Sequence, residues 1–198
     1  MKKIDKTRNI AHFLFEAGML AKTPRSGFHF FGSGKQSVAE HSNRTAYVGF
    51  ALASMNGKAD VSKVTEMCLF HDFTEARVSD LNYVHQKYNT RDEVKALKDF
   101  TINLPFGQRI EALIGEYEAK KTIESKLAKD ADQIELLLTL KEQTDIGNER
   151  VRKYIPSLVK RLKTEEGKQL ANSILETESD AWWVGDVEDS WWVNPKKK

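Results

Sequence analysis

Apolar residues recur at the helical period along nearly all of this 198-residue sequence, and no two neighbouring runs alternate with period two as a β-hairpin requires. That feature confines the chain to the all-α class. Ile10, Phe13, Leu14 and Ala17 follow the i, i+3, i+4, i+7 spacing of one buried face. Tyr47, Phe50, Ala51 and Ser54 continue the pattern after His41, and Val61, Val64 and Cys68 mark a third helix with Asp60 as its N-cap. Val94, Leu97, Thr101 and Leu104 make a fourth, stopped near Pro105 and Gly107. Ile110, Leu113, Ile114 and Tyr117 make a fifth; Ile123, Leu127, Ala131, Ile134 and Leu138 make a long sixth. Val151, Tyr154, Leu158 and Leu162, then Leu170 and Ile174, complete the set.

Two segments break this rhythm. "TPRSGFHFFGSGKQ", residues 23–36, holds three glycines, a proline and three phenylalanines and reads as a long ordered loop. Directly after it, Ser37-Val38-Ala39-Glu40 fits a capping box that starts a helix just before His41. The second break is the tail, where "WWV" occurs at 182–184 and again at 191–193; these tryptophans are expected to pin the C-terminus across the core or to cover a subunit contact. A nucleobase-stacking platform is disfavoured there, because such platforms come with basic residues and this segment is acidic.

A hydrophobic content of 40% suffices for one sizeable core, so residues 1–198 are expected to form a single domain. Charges nearly cancel, 31 basic against 29 acidic, which argues against a nucleic-acid polymer or a membrane surface as partner. Lys196–Lys198 reads as a solvated end. Cys68 is the single cysteine, so no intrachain disulfide forms and a reducing compartment is favoured. No apolar run approaches the roughly 18 residues of a membrane span, and the first residues lack a signal-peptide pattern. A cytoplasmic protein is the expectation.

The chemistry concentrates in few places. His12 and His29 read as structural histidines. His41 and His71 differ in their company: His41 opens its helix, and His71 stands next to Asp72 in the apolar stretch "FHDFTEA". Adjacent positions on a helix point about 100° apart, so one buried face does not want both polar groups unless something charged sits between them. "AKDADQIE" brings further carboxylates, Asp130 and Asp132, at the start of an apolar helix. Two imidazoles and two carboxylates suit Mn²⁺, Co²⁺, Fe²⁺ or Mg²⁺, and with no thiolate in the pattern a structural zinc site is disfavoured.

Taken together, "SVAEH", "FHDFTEARVSD" and "LIGEYEAKKTIESKLAKDADQIE" resemble the HD-domain phosphohydrolase superfamily, and within it the 5′-deoxynucleotidase branch. The likeness runs from about Ala17 to Leu140, with the order H…HD…D kept. It implies a helical fold holding a divalent metal on His41, His71, Asp72 and Asp132. Helical phase alone leaves Asp130 open as the rival, since each aspartate lies about 100° from Ala131; the family's K-x-A-D pattern picks Asp132. The resemblance further implies that Glu75 acts on the attacking water or from behind the metal ligands, and that Asp80 lies near the sugar and leaving oxygen. Arg25 of "PRSGF" becomes the phosphate clamp, a role its guanidinium fork suits. The implied reaction is metal-assisted hydrolysis of a deoxyribonucleoside 5′-monophosphate to deoxynucleoside and phosphate, and relatives suggest a homodimer. Where relatives carry Gly-Asp and a proline-containing turn, this chain has Ser79-Asp80-Leu81-Asn82-Tyr83-Val84-His85, which makes His85 a candidate substrate contact. The alternatives are an HD hydrolase of a cyclic nucleotide, (p)ppGpp or a dNTP, and a non-catalytic helical binding module. Ala76 after Glu75 counts against the (p)ppGpp branch, and the complete ligand set counts against the binding module.

Overall fold

Most of the longer helices begin where the sequence supplies a side-chain cap. In the computed structural model, which describes residues 5–184, Asp5 accepts from Arg8 N–H and starts α1 (Lys6–Ala17). Ser37 and Glu40 form a reciprocal capping box that starts α3 (Val38–Asn56). Asp60 caps α4 (Val61–Phe70), Asp92 caps α6 (Glu93–Thr101), Thr122 caps α8 (Ile123–Asp145) and Thr164 caps α10 (Glu165–Glu176). Each such cap stabilises its helix by about 1 kcal/mol. Shorter helices α2 (Phe28–Phe31), α5 (Glu75–Val78) and α9 (Ile155–Arg161), together with α7 (Gly107–Ala119), α11 (Ala181–Val184) and the 3-10 turns His85–Lys87 and Glu149–Tyr154, complete the helices of the described residues. No strand occurs among the described residues; the nearest approach is an antiparallel bridge between Pro24 and Ser37.

α3, α4 and α8 pack together at the centre, burying Leu52, Ala53, Val64, Met67, Cys68, Leu127, Ala128, Ala131 and Ile134. Gly49 permits that approach: a Cβ built there would stand 2.5 Å from Cys68 Sγ. A second core of Leu20, Val38, Phe73, Phe100, Ile110 and Ile114 lies beside it, with Phe13 stacked on Phe73 at a 5.0 Å ring separation.

Several expected faces are corrected. Tyr47, Phe50, Ala51 and Ser54 point outward, and α3 instead buries Val38, His41, Ser42, Thr45, Val48, Gly49, Leu52 and Ala53. The reason is that Gly49 and the small or self-bonded polar residues let α4 and α8 come close; Thr45, for example, donates its hydroxyl to the His41 carbonyl. Leu14 and Val94 are also exposed, because α1 and α6 each cover the second core with only part of one face. The 23–36 segment is not all loop, since it contains α2 and is closed at its base by Arg25 N–H to Gln36 O at 2.8 Å and Val38 N–H to Thr23 O at 2.9 Å. Trp182 is exposed, and Trp191 and Trp192 lie outside the described residues.

Candidate metal centre

α4 ends at Phe70, and the chain turns through His71, Asp72, Phe73 and Thr74 on i→i+3 bonds before α5 begins. "FHDFTEA" is therefore a tight turn between two helices rather than one continuous helix. The turn answers the question of how His71 and Asp72 share a face: tighter winding swings both side chains toward α3 and α8. His71 Nδ1 donates to the Cys68 carbonyl at 2.8 Å, which leaves Nε2 free to accept.

Four donors converge. His41 Nε2 lies 3.3 Å from His71 Nε2 and 3.3 Å from Asp132 Oδ1. Asp72 Oδ2 stands 3.2 Å from His71 Nε2 and 3.5 Å from His41 Nε2. The donor atoms of His41, His71 and Asp132 all lie within 4.8 Å of one another. Ligands held at about 2.1 Å by one cation lie roughly 3.0–3.4 Å apart when adjacent and about 4.2 Å when opposite; His41, His71 and Asp132, with His71 Nε2 4.0 Å from Asp132 Oδ1, therefore fit a divalent metal, and Asp72 Oδ2 lies beside the two imidazoles. Charge fits it too. Burial and Arg25 disfavour a proton on His41, yet Asp132 and Glu135 push its pKa up to about 9. The field that favours a proton there favours a cation. Burial likewise opposes charge on Asp72 and Asp132, but His71, His41 and Arg25 hold the first well below the carboxylate range, and Lys129 and the imidazoles hold the second there.

Asp130, the rival aspartate, faces elsewhere. Its carboxylate accepts from Lys163 N–H at 2.9 and 3.1 Å, from Thr164 N–H at 2.7 Å and from the Thr164 hydroxyl at 2.7 Å. Asp132 Oδ2 is held by Lys129 Nζ at 3.0 Å and Tyr117 OH at 3.2 Å, so Oδ1 points at the imidazoles.

The centre opens into a cavity of about 1070 Å³ whose wall includes Arg25, His71, Asp72, Glu75, Asp80 and Asp132. Arg25 Nη1 reaches Asp72 Oδ2 at 3.2 Å and Asp80 Oδ1 at 3.7 Å. Burial opposes its charge, but Asp72, Asp132 and Asp80 more than offset that. Asp80 Oδ2 is taken by Ser26 N–H at 2.5 Å and Ser26 Oγ at 2.8 Å. Glu75 is buried; Arg91 holds its Oε1 at 3.1 Å, while Oε2 has no hydrogen-bond partner among the described residues. Burial first, then Asp72 and Asp80, push its pKa up to about 9. His85 is not brought to this wall. Asn82 anchors it through Nδ1 at 3.1 Å, and Tyr83 and Gln86 of the same segment face the cavity instead.

Sequence reasoning missed Glu135 and Arg91. Glu135 is fully buried, and its Oε2 sits 2.5 Å from His41 Nδ1. Its Oε1 is held by Gln36 at 2.6 Å and by Arg44 at 2.9 Å. A carboxylate behind a ligating imidazole fixes the tautomer and orients the ring. The available signal was a charged residue inside the apolar run "IELLL", one turn beyond Asp132. Arg91 carried no such signal, because it reaches Glu75 from a loop 16 positions away.

A helical fold that brings two histidines and two aspartates from α3, α8 and the turn after α4 to one point, beneath an open cavity, defines a class of helical metal-centre proteins. A model of the HD domain family matches residues 17–174, and the chain belongs to that family. It is 30% identical over 190 residues to a 5′-deoxynucleotidase HDDC2 of Bos taurus, covering 92% of this chain and 91% of that protein. It is 27% identical over 175 residues to the Homo sapiens 5′-deoxynucleotidase HDDC2, covering 84% and 85%. Among solved structures, a conserved hypothetical protein from Pyrococcus furiosus superposes with a TM-score of 0.70 at 28% identity, over 84% of this chain and 99% of that one.

Proposed function

We propose that the protein is a metal-dependent phosphomonoesterase that hydrolyses deoxyribonucleoside 5′-monophosphates to deoxynucleoside and phosphate. The observation that carries this reading is the meeting, on one cavity wall, of His71, Asp72 and Asp132, backed by the buried His41, with Arg25 and a buried Glu75 that keeps one oxygen unpartnered among the described residues. The HDDC2 relatives support the choice of a deoxynucleotide.

The four ligand residues hold Mn²⁺, Co²⁺, Fe²⁺ or Mg²⁺, which supplies Lewis acidity toward phosphoryl oxygen and water. Arg25 binds the phosphate with its guanidinium and balances charge as the ester bond breaks. Its two aspartate contacts hold it against the cavity wall until substrate arrives. Glu75 Oε2 exchanges a proton with the attacking water while Arg91 holds Oε1 in place. Asp80, with Oδ2 tied to Ser26, offers Oδ1 to the sugar or leaving oxygen. The protein acts on the small nucleotide rather than on a nucleic-acid polymer, as a single HD domain over residues 1–198, and works in the cytoplasm as a homodimer. No helix among the described residues is long and apolar enough to cross a membrane.

The test is phosphate release by metal-stripped protein resupplied with Mn²⁺, Co²⁺ or Mg²⁺, against deoxy- and ribonucleoside 5′-monophosphates, a 3′-monophosphate, a cyclic nucleotide, (p)ppGpp and a dNTP. Metal-dependent release confined to the deoxy 5′-monophosphates is the expected result. Release from another member alone overturns the substrate, and no release from metal-loaded protein overturns the reaction.

A further inference from the structure

The cavity's volume, about 1070 Å³, stands at the top of the roughly 300–1,000 Å³ range of small-molecule sites. Part of its wall is rich in basic side chains, with Glu118 as an acidic neighbour of Lys129. Lys126, Lys129 and Gln133 lie at i, i+3 and i+7 on one face of α8, Arg161 ends α9, Lys163 follows two residues later, and all five line the cavity. Lys129 is spent on Asp132 at 3.0 Å. Among the described residues Arg161 has neutral partners: the Tyr83 hydroxyl, the Tyr83 ring at 5.1 Å, and Gln133 Oε1 at 3.4 Å. Lys126 and Lys163 make no ion pair among the described residues, under a 4.0 Å limit. This basic rim is not the by-product of a basic chain, whose charges stand at 31 against 29.

The rim is also anchored. Asp130, 1% exposed, holds the backbone N–H groups of Lys163 and Thr164 two residues before Asp132 on the same helix. A rigid α8 therefore sets the spacing between rim and metal centre. From Lys126 to Asp132 that spacing is about 9 Å along the axis, and the flexible lysine stem spans the difference to the shorter separation between the 5′ and 3′ phosphates of one nucleotide.

We propose that Lys126, Arg161 and Lys163 form a second anion subsite, which takes the 3′-phosphate of a deoxynucleotide whose 5′-phosphate lies at the metal centre. The favoured substrate class is then the deoxynucleoside 3′,5′-bisphosphates. Water adds to the 5′ phosphorus, the bond from phosphorus to O5′ breaks, and O5′ leaves with a proton as the sugar hydroxyl. The products are inorganic phosphate and a deoxynucleoside 3′-monophosphate. Unpaired cations at the mouth also steer such a multiply charged ligand inward, an effect that salt weakens. This inference rests on the 5′-phosphatase reading above.

The experiment compares deoxyadenosine 3′,5′-bisphosphate with deoxyadenosine 5′-monophosphate as substrates of the metal-loaded protein. It is run on the native chain and on the Lys126→Gln/Lys163→Gln double variant, whose two positions are exposed. The bisphosphate is expected to show at least about tenfold higher kcat/KM. The double variant should erase that advantage while leaving the monophosphate within about twofold. Equal kcat/KM for both substrates, or a variant that lowers both alike, overturns the subsite. Calorimetric binding of deoxyadenosine 3′-monophosphate separates the two failures. Should neither 5′ ester be hydrolysed, the phosphatase reading falls, and the subsite stands only where the double variant weakens this binding about tenfold; unchanged binding overturns it.

Discussion

Asp130 and Asp132 are two residues apart on α8, and replacing each should have opposite consequences. Asp130→Ala removes a buried carboxylate that accepts from Thr164 N–H, the Thr164 hydroxyl and, near the surface, Lys163 N–H. Hydrogen bonds to a charged group contribute about 1.5–3 kcal/mol each. Water can replace the acceptor for Lys163, which is exposed. The two Thr164 contacts thus set the loss at about 3–6 kcal/mol. At roughly 2–4 °C per kcal/mol for a domain of this size, Tm should fall by about 6–24 °C. Metal stoichiometry, measured on the folded variant below its transition, should stay that of the native chain. Asp132→Asn should do the reverse, losing metal while the metal-free Tm changes little. Thermal unfolding with and without added Mn²⁺, alongside metal analysis after gel filtration, reads both quantities. An Asp130→Ala protein that keeps its Tm and loses its metal would refute the reasoning and pass the ligand role to Asp130.

Glu135→Gln should weaken metal affinity by roughly 10–100-fold through loss of the charge behind His41, as read by calorimetric titration; unchanged affinity removes Glu135 from the centre. Gly49→Ala should cost about 1–3 kcal/mol in urea unfolding, because the new methyl would meet Cys68 Sγ at 2.5 Å, and native stability in that variant would mean that α3 and α4 pack less closely than described. The pH dependence of the metal-free protein should report Glu75. Its folded pKa, about 9, lies above its ordinary 4.5, so its stabilising contribution is complete below pH 4.5 and is lost as pH rises through 9. Glu75→Gln should therefore flatten the decline in stability between those values; parallel pH curves for the two proteins would show that Glu75 is not held protonated.

What the sequence disclosed follows from how local each signal is. The caps at Ser37 and Asp60 were legible because a cap is decided within four residues, and both form as expected. The helix class was legible because period survives errors of phase. Phase itself was not: the aromatic stripe Tyr47–Phe50 looks like a buried face, but burial on α3 was decided by Gly49 and by neighbours far along the chain. The ligand positions stood out as polar residues in apolar company. Asp130 against Asp132 was beyond helical phase, because the partner that occupies Asp130 comes from residues 163–164. Arg91 and Glu75, joined across a loop, and the exclusion of His85 from the cavity are tertiary facts of the same kind.

That α8 serves so many roles has a geometric cause. Ala128 and Ala131 are fully buried, and their small side chains bring the helix axis close to α4. At about 100° per residue, Asp130 and Asp132 then point some 200° apart, one toward the 162–164 segment and the other toward the imidazoles. Glu135, three residues on, returns to the side of His41 and supports it from behind. Lys129 lies between the two aspartates' directions and neutralises the one that faces the centre. A carboxylate in place of Ala128 or Ala131, on the side packed against α4, would be buried without a partner, at a cost of several kcal/mol. The acidic residues of "AKDADQIE" are thus distributed by the close packing of two alanines. Widening the contact by Ala131→Val should disturb the metal centre and the 163–164 anchor together, whereas Asp130→Ala should release the anchor alone.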